Sequence, residues 1–263
     1  MTTTSPLALV TGASRGIGLE LARQFAQHGF DLVVNAEDAA IEEAAVLLRA
    51  EGAVVHPVQA DLRTREGVAA LWTAVTALGR PLDAAALNAG VGQGGAFVDT
   101  DWADDLEIMQ LNVVSTAALM KLVLTQMTRR GEGRLLVTSS IASTMPGSYQ
   151  PIYNASKSFV QSLTEAVQDE LKDTAVTITS LMPGPTDTDF FERADMEDTR
   201  IGQGPKDSPE EVARDGWEAL VAGRDRVVAG SRLNNVAAAG AHLTPDPIAA
   251  KLAARQTEEV TGT

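Results

Sequence analysis

Short apolar runs alternate along this chain with longer segments of helical period. Seven runs have the length and content of strands: Leu7–Thr11, Asp31–Asn35, Ala53–Val58, Asp83–Leu87, Arg134–Ser139, Val176–Leu181 and Arg226–Ala229. Between them, Gly16–Gln27, Ala39–Ala50, Arg65–Leu78, Trp102–Arg129, Gln150–Lys172 and Ser208–Ala222 carry apolar residues at helical spacing. That alternation predicts βαβ units, a parallel sheet with helices on both faces. Turn residues agree, since Gly29, Gly52, Gly79-Arg80-Pro81 and Gly131-Glu132-Gly133 close the first four helices. No linker rich in Gly, Ser or Pro separates the strands, so the expected fold is α/β, a single doubly wound three-layer αβα sandwich with a seven-stranded parallel sheet over residues 1–230.

Two regions break the pattern. Pro183–Pro205 carries Pro183, Gly184, Pro185, Gly202, Gly204 and Pro205, and a connection of that length reads as a lid over a cleft, at about 184–206. The tail from 231 to 263 is Ala-rich and reads as a helical extension of the same domain. It predicts one helix over Leu233–His242, a break at Pro245 and Pro247, and a second helix over Ile248–Gln256.

Composition narrows the class. With 263 residues the chain holds one large domain or two small ones, at about 100 to 200 residues per domain. Lys plus Arg is 21 against 35 for Asp plus Glu, a net charge of −14, which excludes a general nucleic-acid binder or an anionic-membrane anchor because both need basic patches. The absence of Cys excludes a disulfide framework, a thiolate metal site and a Cys nucleophile. The N-terminus has no basic region, Leu7–Val10 is too short for a signal core, and no run reaches the about 18 apolar residues that span a bilayer. A soluble, acidic, cytoplasmic protein is expected.

Residues 11–18 read Thr-Gly-Ala-Ser-Arg-Gly-Ile-Gly between the first strand and the first helix. Gly12 allows a tight turn, Gly16 lets backbone approach a pyrophosphate, and Gly18 allows close helix packing, while Ser14, Arg15 and Ile17 complete the loop. The helix N-terminus adds free N–H groups and partial positive charge, which suits a dinucleotide on a Rossmann-type fold. The spacing is Gly-x3-Gly-x-Gly, and a tight βα turn without a ligand is the bland alternative.

Tyr153 and Lys157 stand four apart in a predicted helix and so point to one side. A nearby ammonium favours phenolate and would bring the Tyr153 pKa from about 10 toward neutrality, where it can act as general acid or base. A surface pair has the same spacing.

Together the loop and the Tyr–Lys pair resemble the short-chain dehydrogenase/reductase family, and further motifs follow in order. Asn88-Ala89-Gly90 comes after the fourth strand, Asn112 lies in the long fourth helix, Ser140 ends the fifth strand 13 residues before Tyr153, Asp61-Leu62 follows the third strand, and Pro183-Gly184 with Thr188 follows the sixth. The resemblance covers about Leu7 to Ala229. It implies an NAD(P)-dependent oxidoreductase in which Tyr153 exchanges a proton with the substrate oxygen while hydride moves to or from nicotinamide. Ser140 would orient the carbonyl, Lys157 would bind nicotinamide-ribose hydroxyls, and Asn112 would hold a relay water. Asn88 and Gly90 would support sheet and cofactor, Asp61 and Leu62 would flank the adenine, and Pro183, Gly184 and Thr188 would meet the nicotinamide.

Cofactor choice should be set at the end of the second strand, Asn35-Ala36-Glu37-Asp38, where family members using NAD often have Asp at the position of Ala36 and those using NADP often have Arg just beyond. Glu37 and Asp38 repel a 2′-phosphate and Arg15 attracts one; two acids against one base lean to NAD, unless the acids only favour the next helix start. The expected pocket comprises Val91, Gly92, Gln93, Ile141, Met145, Gln150, Pro185, Phe190, Phe191 and Met196, mainly apolar, which suits a neutral, moderately hydrophobic ketone or secondary alcohol. Phe190 and Phe191 serve equally as lid packing. The acidic residues between Asp187 and Asp198 lack a His and read as a solvated face, with no metal expected, and His28, His56 and His242 take no role. The resemblance also implies a homo-oligomer, a dimer ahead of a tetramer, through the two long helices with stripes that include Leu111, Leu119, Phe159 and Leu163. A nucleotide sensor without turnover, or an epimerase or dehydratase on the same site, are the competing readings.

Overall fold

The computed structural model describes residues 5–231, Asn234 and 246–258. Its centre is β1 (Leu7–Thr11), every residue of which is buried. Successive strand residues face opposite sides. Ala8 and Val10 therefore enter one apolar layer with Leu32 and Val34, whereas Leu7 and Leu9 enter the other with Val33 and Leu135. A strand covered on both faces must be apolar throughout, which is why it reads as a continuous run.

β1 leads through α1 (Gly16–Gln27) to β2 (Asp31–Ala36), α2 (Ala40–Ala50), β3 (Val55–Gln59), α3 (Arg65–Ala77) and β4 (Ala84–Leu87). The second half runs α4 (Trp102–Ile108), α5 (Thr116–Arg130), β5 (Gly133–Thr138), α6 (Pro151–Leu171) and β6 (Val176–Pro183). It continues through two short helices, α7 (Phe190–Arg193) and α8 (Arg200–Gln203), to α9 (Pro209–Val221), β7 (Arg226–Ala229) and α10 (Asp246–Gln256). All seven strands are parallel in the order β3-β2-β1-β4-β5-β6-β7. Helices α1, α2 and α9 cover the first layer, and α3, α5 and α6 the second. The order reverses between β1 and β4, and a sheet of this kind opens a crevice at its carboxyl edge there.

Helix ends follow local chemistry. The side chains of Thr64, Asp101 and Ser208 accept from the backbone N–H groups of Gly67, Ala103 and Glu211, and Gly131 closes α5 in the left-handed region at φ 86°. The expected single helix over Trp102–Arg129 is interrupted by a π-helical turn, Met109–Ser115, in which the Ser115 hydroxyl donates to the Leu111 carbonyl at 2.6 Å. The extra residue in that turn resets the helical face and turns Asn112 inward, 1% exposed. The whole segment Trp102–Arg130 is long and on average apolar enough to cross a membrane by length and composition, but polar residues such as Gln110, Asn112 and Lys121 interrupt it; half of its apolar window is buried within the molecule, and Leu119, Val123 and Met127 sit in the second layer. The expected helix over 233–242 lies outside the described residues except for Asn234.

Candidate active site

The carboxyl ends of β1 to β6 and the segment 184–201 line one long cleft. At its first end the glycine loop crosses from β1 to α1. Gly12 (φ 65°) and Gly16 (φ 55°) both take left-handed conformations, and a Cβ on Gly12 would stand 2.9 Å from the Ala89 backbone. A Cβ on Gly18 would stand 1.9 Å from the Gly12 carbonyl oxygen. Arg15, at the N-cap of α1, makes no side-chain capping bond, and the first turn of α1 carries no acid, so the helix leaves this end of the cleft free for an anion. Ser14, Arg15 and Ile17 all line it. These features form a cradle of backbone amides that added side chains would fill, and a dinucleotide pyrophosphate fits them.

Asn88 holds the loop to the sheet. Its backbone N–H and that of Ala89 donate to Thr11 Oγ1 at 3.0 and 3.1 Å, and its side chain accepts from Thr138 Oγ1 at 3.1 Å. The ends of β1, β4 and β5 are thereby locked together. Gly90 is required by what lies behind it, because a Cβ there would stand 3.2 Å from Lys157 Nζ and 3.1 Å from Asn112 Oδ1.

Past β2 the cleft is lined by Glu37, Asp38, Asp61 and Leu62. The charges are paired more evenly than the sequence suggests. Arg63 NH2 lies 2.7 Å from Glu37 Oε2 and Arg193 NH2 lies 2.6 Å from Glu37 Oε1, while Arg15 meets Asp38 at 2.5 Å and Asp189 at 3.2 Å. Arg63 also bonds Asp61 at 2.9 Å, which holds the Asp61 carboxyl below the usual range and raises the guanidinium. The count of two acids against one base therefore needs correction: three arginines, Arg15, Arg63 and Arg193, reach this edge among five carboxylates, those of Glu37, Asp38, Asp61, Glu107 and Asp189. Arg63 directly follows Asp61-Leu62, and Arg193 is the one base in the acidic lid run, a signal the sequence held.

At the second end stand Ser140, Tyr153 and Lys157, all lining the cleft. Ser140 Oγ accepts from the Ala142 N–H at 3.1 Å and donates to the Pro183 carbonyl at 3.5 Å. Lys157, 5% exposed, donates to the Thr138 carbonyl at 3.1 Å and sits 5.9 Å from the Tyr153 ring centroid. Asn112 is gripped by backbone, accepting from the Val91 N–H at 3.0 Å and donating to the Val91 carbonyl at 2.8 Å and to Ser156 Oγ at 3.0 Å. The expected acidification of Tyr153 is not what this arrangement produces. Burial pushes the phenol up to about 12, the Ser140 hydroxyl opposing only in part, and the same desolvation brings Lys157 down to about 8. Desolvation outweighs the pairing because the ammonium is turned to a carbonyl rather than to the phenol oxygen.

Of the expected pocket residues, Val91, Gly92, Ile141, Met145, Gln150, Pro185, Phe190 and Phe191 line the cleft. The Phe190 ring lies 5.2 Å from that of Tyr153, and Thr188 packs against Gly16, where a Cβ would stand 2.9 Å from Thr188 Cγ2. Pro183 and Gly184 line it too. Gln93 does not: its amide turns to Asp104 of α4 at 3.3 Å. Met196 is buried in the lid's own apolar cluster. Sequence reasoning missed the far wall, Ser148, Asn154, Ala253, Gln256 and Thr257. The last three come from α10 and the residue after it, held by Ser148 Oγ donating to the Ala250 carbonyl at 3.0 Å and Thr257 Oγ1 donating to the Ser148 carbonyl at 3.2 Å.

Comparison with known proteins agrees with this architecture. The family model described as short chain dehydrogenase matches residues 6–198. The oxidoreductase UcpA of Salmonella typhimurium is 32% identical over 221 residues, 82% of this chain and 81% of that protein. A short-chain dehydrogenase from Sphingobium yanoikuyae, solved in complex with NADPH, superposes with a TM-score of 0.79 at 27% identity over 85% of this chain and 87% of that one. One from Burkholderia phymatum, solved in complex with NAD, covers all of both chains with a TM-score of 0.82 at 23% identity and shares the fold. A glycine cradle between β1 and α1, a Tyr–Lys pair on α6 and a family match over residues 6–198 agree, and the chain belongs to the short-chain dehydrogenase/reductase family of oxidoreductases.

Proposed function

We propose that the protein is a nicotinamide-dependent oxidoreductase that interconverts a carbonyl and a secondary alcohol, with Tyr153 as general acid and base. The observation that carries this reading is the convergence of Ser140, Tyr153 and Lys157 at one end of a cleft whose other end is the glycine cradle. The cradle, Asn88, Asp61 and Leu62 would hold the dinucleotide, Pro183, Gly184 and Thr188 its nicotinamide end, and the nicotinamide, when bound, supplies or takes up the hydride.

With its phenol near 12, Tyr153 is protonated throughout the neutral range, the form needed to give its proton to a carbonyl oxygen. Ser140 donates to the same oxygen as charge develops on it. Lys157 binds ribose hydroxyls, and a positive charge there favours phenolate once the proton has left. Asn112 places a water behind Lys157, from which Tyr153 regains its proton.

The substrate end is lined by Val91, Ile141, Met145, Phe190 and Phe191 with uncharged polar groups at its far wall, Gln150, Ser148 and Gln256, which suits a neutral, moderately hydrophobic molecule. NAD remains the preferred cofactor, with Glu37 as acceptor for a ribose hydroxyl, even though Arg63 and Arg193 soften its repulsion of a phosphate.

Fluorescence titration with NADH and with NADPH, followed by a screen of neutral ketones with the tighter one, tests the proposal. Binding with consumption of reduced cofactor supports it. Binding without turnover on any ketone would favour a nucleotide sensor, product without net redox an epimerase or dehydratase, and binding of neither nucleotide would overturn the reading.

A further inference from the structure

The Ser140 hydroxyl can serve a substrate oxygen only if the turn that carries it is fixed, and that turn has little packing of its own. Ser140 heads a single 3₁₀ turn, Ile141–Thr144, none of whose residues is buried. Within it, the Ala142 N–H donates to Ser140 Oγ at 3.1 Å, and the Ser143 N–H and hydroxyl donate to the Ser140 carbonyl at 3.1 and 2.7 Å. The turn is tied to the rest of the molecule from α6. Asn154 Nδ2 donates to the Ala142 carbonyl at 3.0 Å and to the Met145 carbonyl at 3.2 Å, and Ser158, one helical turn on, donates from its hydroxyl to the Ser143 carbonyl at 2.9 Å. Asn154 is 6% exposed. Its oxygen is buried without a donor and faces Gly147, where a Cβ would stand 2.2 Å from it. A buried acceptor left so is costly, which points to the two N–H groups as the part of this carboxamide that matters.

We infer that Asn154 is a positioning residue for the reaction: its two bonds hold the turn after β5 at a fixed place on α6, so that the Ser140 hydroxyl and the Tyr153 phenol converge on one substrate oxygen. The inference rests on the oxidoreductase reading above. Asn154 directly follows Tyr153, and successive residues of a helix project about 100° apart. One stretch of α6 therefore sets Tyr153 in the cleft with one side chain and grips the Ser140 turn with the next, which couples the two groups without passing through the sheet. A misplacement of about 1 Å between groups that must meet one atom can cost about 10² in rate. The glycine cradle and the residues around Glu37 have their own supports in β1 to β4, so loss of the Asn154 bonds falls on the chemical step and spares nucleotide binding.

The test is a double-mutant cycle on the full chain, read by steady-state rates on a ketone that the unaltered protein reduces, with hydrogen exchange of the Ala142 and Ser143 amides alongside. Asn154→Asp keeps the shape of the side chain and removes both donors. It should lower kcat about tenfold or more, leave the dissociation constant of the reduced nucleotide within about twofold, and speed exchange of the two turn amides about tenfold while the β5 amides keep their rates. Gly147→Ala, whose Cβ would stand 2.1 Å from Asn154 Cγ, displaces the carboxamide without altering it and should give the same pattern, which covers the case in which a carboxyl at 154 prevents folding. Because Asn154 acts through Ser140, adding Asn154→Asp to Ser140→Ala should cost less than about twofold more in kcat. Losses that multiply in the double variant, turn amides that exchange at the unaltered rate, or a kcat that survives both single substitutions near Asn154 overturns the inference and leaves the oxidoreductase reading standing. If the unaltered protein turns over no carbonyl or alcohol, both fall.

Discussion

Lys157 is held almost entirely out of water, and its ammonium has a carbonyl rather than a carboxylate as partner. Its pKa in the fold, about 8, lies below the 10.5 of an exposed lysine. Between pH 8 and 10.5 the unfolded chain binds a proton that the fold does not, so stability rises with pH across that window and carries a constant penalty below it. Lys157→Met should therefore raise the unfolding free energy at pH 7 by about 1–3 kcal/mol and abolish the rise, as read from urea midpoints at pH 7 and pH 10. Tyr153 has the opposite sign: its pKa is raised from 10 to about 12, so stability falls as pH climbs between those values. Tyr153→Phe should flatten that fall, keep nucleotide binding and lower kcat by about 10² to 10⁴, measured by steady-state rates and fluorescence titration. Undiminished turnover would remove Tyr153 from its role. The spacing of Tyr153 and Lys157 was legible because helical period dictates which side chains share a face. Their pKa values were not, because the period says nothing about whether that face is wet. Gln93 shows the same limit: its place after Asn88-Ala89-Gly90 marks it as close to the site, but a rotamer directed at Asp104 takes it out.

Among the elements, β1 and α1 illustrate how a turn carries function. Gly18→Ala would drive a Cβ against the Gly12 carbonyl, and neither atom can yield without moving α1 or the loop. Nucleotide binding should be lost, with a marked fall in thermal midpoint. Gly29, also in the left-handed region at φ 83°, has nothing near its missing side chain. Gly29→Ala should cost only about 1 kcal/mol of backbone strain and leave binding unchanged, which separates a cradle glycine from a capping one. The seven strands were legible to within two residues because each is a short, predominantly apolar run between turn signals. The π-helical turn in Met109–Ser115 was not. One inserted residue shifts the buried stripe by a fraction of a turn, and the apolar residues on either side keep their spacing within their own segment. The partners of Glu37 were hidden for another reason, since Arg63 and Arg193 lie 26 and 156 residues away and only the assembled fold brings them together.

At the scale of the whole molecule, the cleft has walls of different origin. The nucleotide end is built from loops after β1 to β4, while the far wall of the substrate end depends on α10. Removing residues 246–263 should therefore raise KM for the ketone about tenfold or more while leaving the NADH dissociation constant within about twofold, on the expectation that the loss falls on substrate contacts alone. A parallel rise in both constants would show that the last helix supports the nucleotide as well. The dimer that the family resemblance implies also changes complexion. Leu111 and Leu119 are buried against the sheet, so an interface on α4 to α6 must use residues that face outward, among them Trp102, Leu106, Val114 and Phe159. Phe159→Glu should convert a dimer to a monomer in sedimentation, and an unchanged mass would place any contact elsewhere.

The bonds from Ser148 to Ala250 and Thr257 join residues 102 and 109 positions apart. During synthesis the chain emerges from its N-terminus, so the glycine cradle and the Tyr–Lys helix are already outside the ribosome while the residues that close the substrate pocket are still being added. For that interval the protein has the parts of a nucleotide site without a finished place for a substrate. A nascent chain would acquire its cofactor first and its selectivity last.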